Sequence, residues 1–430
     1  MQYKKIGFTD VDGVLRGKYV NLSKLEHSNQ IEHCDVVFGW DLNDRCYDKD
    51  SVTGWNKGFG DALLTLDPTT ERTIPWESGT NFMLGDYHAD ETFKHVCPRS
   101  LLKSILTEYK AMGITPKVGF EYEWFNFDKT AQTIAQPQEH TITQGMFGYS
   151  LSKLTELKDF SHQLLKDLQA FQIDVEGFHT ETGPGVYEAA LKYTHALEAA
   201  DQAALFKLGV KEIALHHNII ASFMAKWNAG LPGCGGHIHV SLVDQNDKEL
   251  LHYAENEPFN GISENFLSGI LEGSIPLFPL YAPIVNSYKR FIEGSWAATS
   301  LCWGFQNRTT AVRIIPAKVG KCHVEMRIPG ADVNPYLAIY ALLASGLYGI
   351  REKLQLKLKE QKGSAYVSTQ NAPLPKSLEE AVRIMHDHPL PKKILDPAFV
   401  DHYLMTRQAE VKRYQEAVTD WEINRYLEII

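Results

Sequence analysis

Apolar and polar positions change rhythm along this chain near residue 97. Residues 1–95 read as short strands and turns. Ile6–Asp10 and Leu15–Val20 flank Asp12-Gly13, and an Asp-Gly pair favours a hairpin turn. Val36–Trp40 and Ala62–Leu66 are further strand candidates, punctuated by Pro68, Pro75 and several glycines. From Pro98 the period lengthens. Leu101, Leu102, Ile105, Leu106, Tyr109 and Met112 recur at helical spacing, with Pro98 near the start and Gly113 at the end. Beyond them strands alternate with helices predicted over 152–170, 192–220, 260–280 and 333–355. Ser377 and Glu380 form a capping-box pattern at the start of another, and 400–428 reads as a closing helix. The change of texture places a domain boundary near residue 97, separating residues 1–97 from 98–430.

Three of the strand-like runs carry charge in a way a plain core strand does not. GFEYEWF (Gly119–Phe125), GGHIHVSL (Gly235–Leu242) and HVEMRIPG (His323–Gly330) each repeat a polar group at i and i+2. In a strand those positions share one face. Glu121 projects with Glu123, His237 with His239, and Glu325 with Arg327. Burying such groups is costly unless they are paired or bind a cation. One polar pocket lined by strands, holding divalent cations and an anionic ligand, accounts for all three.

Each motif also has a plainer reading. Paired carboxylates suit a hard cation such as Mg²⁺ or Mn²⁺, and the alternative is a solvated strand face. In HTETGPGVYEAAL (His179–Leu191), Glu181 and Glu188 bracket a Gly-Pro-Gly turn that can bring both carboxylates to one ion. By itself that stretch fits an acidic surface loop better. His-x-His fits a zinc pair, a mixed metal site or two packed ring donors. Arg290, Arg308, Arg313 and Arg327 suit carboxylate or phosphate, or are ordinary surface charge.

Bulk properties narrow the class. The net charge of −10 and the lack of any Lys/Arg block argue against nucleic-acid binding. The longest apolar run, Leu337–Ile350, is too short to span a bilayer, and the N-terminus shows no apolar signal core. Six cysteines without CxxC spacing fit a reduced, cytoplasmic setting.

The order of the motifs says more than any one of them. ExE, E-(x6)-E, GxGxHxH, NRxxxxR and ExRxPGADxNPY follow one another as in the glutamine synthetase family, which this chain resembles from Asp12-Gly13-x-x-Arg16-Gly17-Lys18 to Asp420-Trp421-Glu422. The resemblance implies an α+β architecture. A small β-grasp-like N-terminal domain precedes a catalytic domain whose curved antiparallel sheet, surrounded by helices, lines a funnel-shaped site. It implies ATP and two to three Mg²⁺ or Mn²⁺ ions per site. Subunits would form rings, commonly a dodecamer of two hexamers. Glu123, Glu181 and Glu188 would hold the cation nearer the amino acid. Glu121, His237 and Glu325 would hold the one on the ATP phosphates. His239 and Ser241 match nucleotide-side positions, and Arg290 the residue gripping the α-carboxylate, beside Gly233. Arg308, Arg313 and Arg327 match the arginines around the phosphates. Asp61 matches an acidic position of the amine side.

Four departures bear on the substrate. Trp296 stands where ammonia-using members carry a flap glutamate. GWDLNDRCYDKD replaces the family's DGSS segment, leaving Asp41, Asp44 and Asp48 as substitutes. Pro232 stands where an asparagine often contacts glutamate, and Val186 replaces a usual glutamine. An aromatic flap residue packs on an alkyl chain or faces an alkylammonium. The expected activity is therefore ATP-dependent ligation of L-glutamate's γ-carboxylate to an organic amine. Glutamate–ammonia ligation is the alternative. A non-catalytic relative and a His-x-His metal hydrolase fit less well, because every metal-type carboxylate is kept and His-x-His follows ExE at mid-chain.

Overall fold

The computed structural model describes residues 2–130, 137–255, 257–316, 322–368 and 370–430. Among them, the alternating N-terminal segments build one sheet: β1 (Tyr3–Thr9), β2 (Leu15–Asn21), β3 (Gln30–Cys34), β4 (Asp61–Leu66), β5 (Arg72–Ile74) and β6 (Thr80–Asp86). The order is β2-β1-β6-β4-β3, with β5 on β6, and only the β1–β6 pair is parallel. The predicted hairpin is β1–β2, but its connection is longer than an Asp-Gly turn. Oδ1 of Asp10 accepts the N–H groups of Asp12 and Val14, and Oδ2 accepts Nε of Arg16 at 2.8 Å. Gly13 completes the loop at φ 84°, where a side chain is disfavoured. The strand expected at Val36–Trp40 is instead a 3-10 helix, Asp35–Phe38. Val37 and Phe38 are both buried, which a one-sided strand cannot achieve for adjacent residues.

Residues beyond 97 fold around a second, larger sheet. The helix α1 (Pro98–Ala111) stops before Gly113, at φ 71°, and leads into the long strand β7 (Ile114–Asp128). The predicted helix at 152–170 is broken at Leu157 into α2 (Leu151–Glu156) and α3 (Lys158–Ala170). Then come β8 (Val175–Thr180), β9 (Val186–Leu191), β10 (Thr194–His195), α4 (Ala196–His216), β11 (Ile219–Ser222) and β12 (Gly236–Asp244). The helix α5 (Gly261–Ser274) ends before Pro276, which lacks the N–H needed to continue it. The strand pieces β13 (Ser300–Leu301), β14 (Trp303–Phe305), β15 (Val312–Ile315) and β16 (His323–Met326) precede α6 (Pro335–Glu352). The sheet order is β14-β15-β16-β12-β7-β9-β8, with β10 and β11 also on β7, and it curls into a half-barrel; β13 pairs separately with β17 (Ala372–Pro373).

At the C-terminal end, α7 (Leu378–Asp387) is capped by Ser377, whose hydroxyl accepts the Glu380 N–H at 3.1 Å. The Glu380 carboxylate returns to the N–H of Lys376 rather than of Ser377, so the box is displaced by one residue. After α8 (Leu390–Ile394), the predicted closing helix is two helices, α9 (Pro397–Glu416) and α10 (Asp420–Tyr426). Thr419 and Glu422 form a full capping box that restarts the chain. Among the described residues no helix is long and apolar enough to cross a membrane.

Buried charges tie the N-terminal sheet to the rest. Arg99 of α1 reaches Asp67 at 2.8 Å, Asp86 at 2.6 Å and Asp201 of α4 at 2.8 Å. Arg407 of α9 reaches Asp12 and donates to the Pro283 carbonyl at 2.8 Å. Burial opposes the Asp86 charge, but Lys103 and Arg99 outweigh it and hold the carboxyl at about 2. Replacing Arg99 by Met takes a shared cation from three carboxylates and leaves Asp86 to Lys103 at 2.5 Å, so urea unfolding at pH 7 should show a loss of about 3 kcal/mol. Because the folded pKa of Asp86 is depressed, its contribution is complete above pH 4 and fades as pH falls towards 2. The gap between wild type and Arg99→Met should therefore narrow over that window.

Candidate active site

The pleat of β7 sorts its side chains. Phe120, Tyr122 and Trp124 point to one face and are buried. Tyr122 stacks on Phe206 of α4 at 6.0 Å, and Trp124 meets the same ring edge-on at 5.6 Å. Glu121 and Glu123 are left on the other face. Register then assembles the neighbours: His237 of β12 pairs with Glu121, Glu325 of β16 with His239, Glu188 of β9 with Glu123, and His179 of β8 with Glu188.

Two groups of ligand-type atoms result, each with its donor atoms within 4.8 Å of one another: Glu121, His237 and Glu325, and His179, Glu181 and Glu188. In the first, Nδ1 of His237 lies 3.6 Å from Glu121 and 3.5 Å from Glu325. Glu325 also accepts Arg313 at 2.9 Å and Arg327 at 2.5 Å. In the second, His179 lies 3.7 Å from Glu181 and 3.6 Å from Glu188. Glu123 stands across the ladder from Glu188, and its Oε2 accepts the Gly235 N–H at 2.7 Å.

The electrostatics of the two groups differ. Burial opposes the Glu121 charge, yet His239 and His237 outweigh it and hold the carboxyl far below its usual range. Glu325 is likewise buried, with Arg327 and the two histidines keeping it ionised. Glu123 goes the other way. Burial pushes its carboxyl up, and the charge of Glu188 adds to the shift. A carboxylate crowded this way is relieved by a cation. Oxygen-rich sets with one imidazole each fit Mg²⁺ or Mn²⁺, so the residues present suit divalent ions.

A cleft of about 450 Å³ opens over this surface. Glu123, His179, Glu181, Glu188, Arg308 and Arg327 line it, with Tyr149, Gly233 and Trp296 at its walls. A second cavity of about 310 Å³ shares Glu121 and is lined by Lys117, Tyr193, His239, Ser241 and His323. Glu121 and Ala190 line both cavities.

Most residues singled out from the sequence lie on these two cavities. Three stand apart. Arg313 sits behind Glu325 and also donates to Gln306 at 2.7 Å. Arg290 is buried behind Gly233, where a Cβ on the glycine would stand 2.7 Å from the Cγ of Arg290. Asp61 is exposed at the start of β4 and is not among the residues lining either cavity. The candidate amine-side acids each hold a cation: Asp41 meets Arg413, Asp44 meets Arg16 at 2.8 Å and Asp48 meets Lys412 at 2.8 Å.

Sequence reasoning passed over His179, Tyr149 and Tyr193. His179 had a signal, because it precedes Glu181 by two residues, the spacing that puts side chains on one face of an extended segment. Tyr149 stacks on His179 at 4.1 Å from 32 residues upstream of Glu181 and carries no local mark of it.

Comparison with known proteins agrees with this geometry. The profile of the glutamine synthetase catalytic domain matches residues 95–426. The chain belongs to the glutamine synthetase family. It is 40% identical to type-1 glutamine synthetase 2 of Dictyostelium discoideum, over 100% of the chain and 84% of the relative. It is 36% identical to glutamate–isopropylamine ligase of a Pseudomonas species, over 99% and 95% of the two chains. Gamma-glutamylethanolamide synthetase GlnA4 of Streptomyces coelicolor is 33% identical, over 98% and 92%. Among solved structures, the GmaS/ADP complex superposes with a TM-score of 0.86 at 26% identity, covering 100% of this chain and 97% of that one. Homologues in the glutamine synthetase family are ligases that join glutamate and amines with ATP.

If the two groups are separate cation sites, they should fail separately. Mn²⁺ titration followed by electron paramagnetic resonance should resolve two classes of site in the wild type. Glu325→Gln should weaken one class by at least about 10-fold, and Glu188→Gln the other. Loss of a single shared class in both variants would refute the assignment.

Proposed function

We propose that this protein is an ATP-dependent ligase that joins the γ-carboxylate of L-glutamate to an organic amine. The observation that carries the amine is Trp296. It lines the same cleft as the carboxylates, exposed and at φ 61°. Tyr149, also at positive φ, lines the same cleft. Two aromatic rings beside carboxylates suit a small alkylammonium. The isopropylamine and ethanolamide relatives support this choice.

The chemistry follows from the charges. A free carboxylate is a poor acyl donor, because its leaving group would be oxide. In the first step an oxygen of glutamate's γ-carboxylate attacks the γ-phosphorus of ATP, the bond to the bridging oxygen breaks, and ADP leaves. In the second, the amine nitrogen attacks the γ-glutamyl phosphate, phosphate departs with the bonding pair, and the amine sheds a proton. Arg308 and Arg327 would stabilise the moving phosphoryl charge, with Arg313 holding Glu325 from behind. Divalent ions on Glu121, His237 and Glu325 and on Glu123, Glu181 and Glu188 would offset repulsion between the anionic reactants. His179 is an additional candidate ligand beside Glu181 and Glu188. His239 and Ser241 would face the nucleotide in the second cavity, and Arg290 with Gly233 the α-carboxylate.

On the same reading residues 1–97 form the β-grasp-like domain of a cytoplasmic ring assembly, a dodecamer of two hexamers. Asp61 would then serve the cleft of a neighbouring copy; mass photometry reads the copy number directly. Glutamine synthesis is the second reading, favoured by the Dictyostelium relative.

A panel decides between them. Phosphate release is followed with ATP, Mg²⁺ and L-glutamate plus ammonium, methylamine, isopropylamine, ethanolamine, putrescine or spermidine, with product masses checked. One organic amine should exceed ammonium, and Trp296→Ala should raise the KM for that amine about 10-fold while leaving the KM for ATP unchanged. Preference for ammonium, untouched by the substitution, would return the protein to glutamine synthesis.

A further inference from the structure

Arg290 is a buried cation, and a guanidinium in that position needs counter-charge. Its terminal Nη2 donates to the carbonyls of Ile328 and Arg327, and its buried Nε has no partner among the described residues. Burial works against its charge, and Glu123 and Asp332 are the carboxylates that sustain it. Glu123 belongs to the cleft. Asp332 lies behind, in the segment between β16 and α6, and the mechanism above does not use it.

Several contacts hold Asp332 in place. Its Oδ2 accepts the Ser287 hydroxyl at 2.5 Å, and that hydroxyl accepts the Ile284 N–H at 3.1 Å. Ser287 lies in the 3-10 helix Val285–Arg290, three residues before Arg290. Gly330 separates the two charges: a Cβ there would stand 2.3 Å from Oδ1 of Asp332 and 3.6 Å from Nε of Arg290. On the far side, Lys207 of α4 donates to the Val333 carbonyl at 3.0 Å and lies 5.5 Å from each of the Tyr122 and Phe223 rings. Lys207 and Asp332 also act on each other electrostatically. Basic and acidic groups thus alternate from Lys207 through Asp332 and Arg290 to Glu123, although burial pushes the Lys207 ammonium down to about 7 and the Glu123 carboxyl up.

We infer that Asp332 is a positioning residue for the amino-acid subsite. Its carboxylate balances Arg290 from behind and keeps the guanidinium behind Gly233, available to an α-carboxylate, instead of drawn forward onto Glu123. Ser287 fixes that carboxylate to the helix that carries Arg290. The inference rests on the proposed reading of Arg290 as the α-carboxylate grip.

Steady-state kinetics on the full chain test it, with hydroxylamine as acceptor so that the acyl phosphate is read as a hydroxamate whichever amine is natural. Asp332→Asn keeps the shape and removes the charge. It should raise the KM for L-glutamate about 10-fold and leave kcat, the KM for ATP and the thermal midpoint near wild type. It should also shrink the preference for L-glutamate over 4-aminobutyrate, which lacks the α-carboxylate. Ser287→Ala should act in the same direction, more weakly. An unchanged KM and preference in Asp332→Asn, or an equal loss for ATP and glutamate, overturns the inference. If Asp332→Asn does not fold, an unchanged KM for glutamate in Ser287→Ala overturns it. Arg290→Lys separates the two levels: no change there removes the reading beneath, whereas a rise there without one in Asp332→Asn removes only the role of Asp332.

Discussion

Crowding of like charge on one face of a strand governs this molecule. Glu121 and Glu123 share that face of β7, and register adds Glu188 beside them. Mutual repulsion is tolerable because the opposite face is locked by aromatic packing against α4, which leaves the strand no freedom to turn the carboxylates outward. On one side the repulsion is answered within the chain: Glu325 is held by Arg313 and Arg327, and Glu121 by two histidines. On the other side, among the described residues, Glu123 is met by a backbone N–H and the remote guanidinium of Arg290. The unanswered charge is where an added cation gains most.

The same economy extends beyond the cleft. Buried ion pairs contribute little net stability when compared with apolar packing, but losing one partner is expensive. They therefore act as registers between parts of the fold. Arg99 gathers carboxylates from the N-terminal sheet and from α4. Arg407 joins Asp12 of the first hairpin to the carbonyl of Pro283, two residues before the 3-10 helix that ends in Arg290. Asn334 caps α6 and donates to Asp10 and Val11 of the same hairpin. The segments around the 3-10 helix that ends in Arg290 and the start of α6 are thus fastened to the N-terminal sheet through a few buried polar contacts.

Relatives bearing glutamine synthetase, isopropylamine-ligase and ethanolamide-synthetase names align over nearly the whole chain. A phosphoryl-transfer site has little latitude, because the charges of its substrates are the same in each case. Trp296 and Tyr149 line the same cleft as the carboxylates.

The sequence by itself determined which side chains face together within a strand, and hence that carboxylates and imidazoles would share a pocket. It also marked where α1 begins and where the Gly-Pro-Gly turn folds the chain back. Those features follow from the period of two in a strand, from proline's missing N–H and from glycine's freedom, all properties of a few adjacent residues. Only the tertiary structure decided that Glu123 faces Glu188, that His179 joins Glu181 and Glu188, and that Arg290 lies buried within reach of the charges of Glu123 and Asp332. It also turned Val36–Trp40 from a strand into a 3-10 helix and divided two long helical stretches. Strand register and burial depend on partners far apart in the chain, so the local pattern supplies the faces and the packing chooses what meets across them.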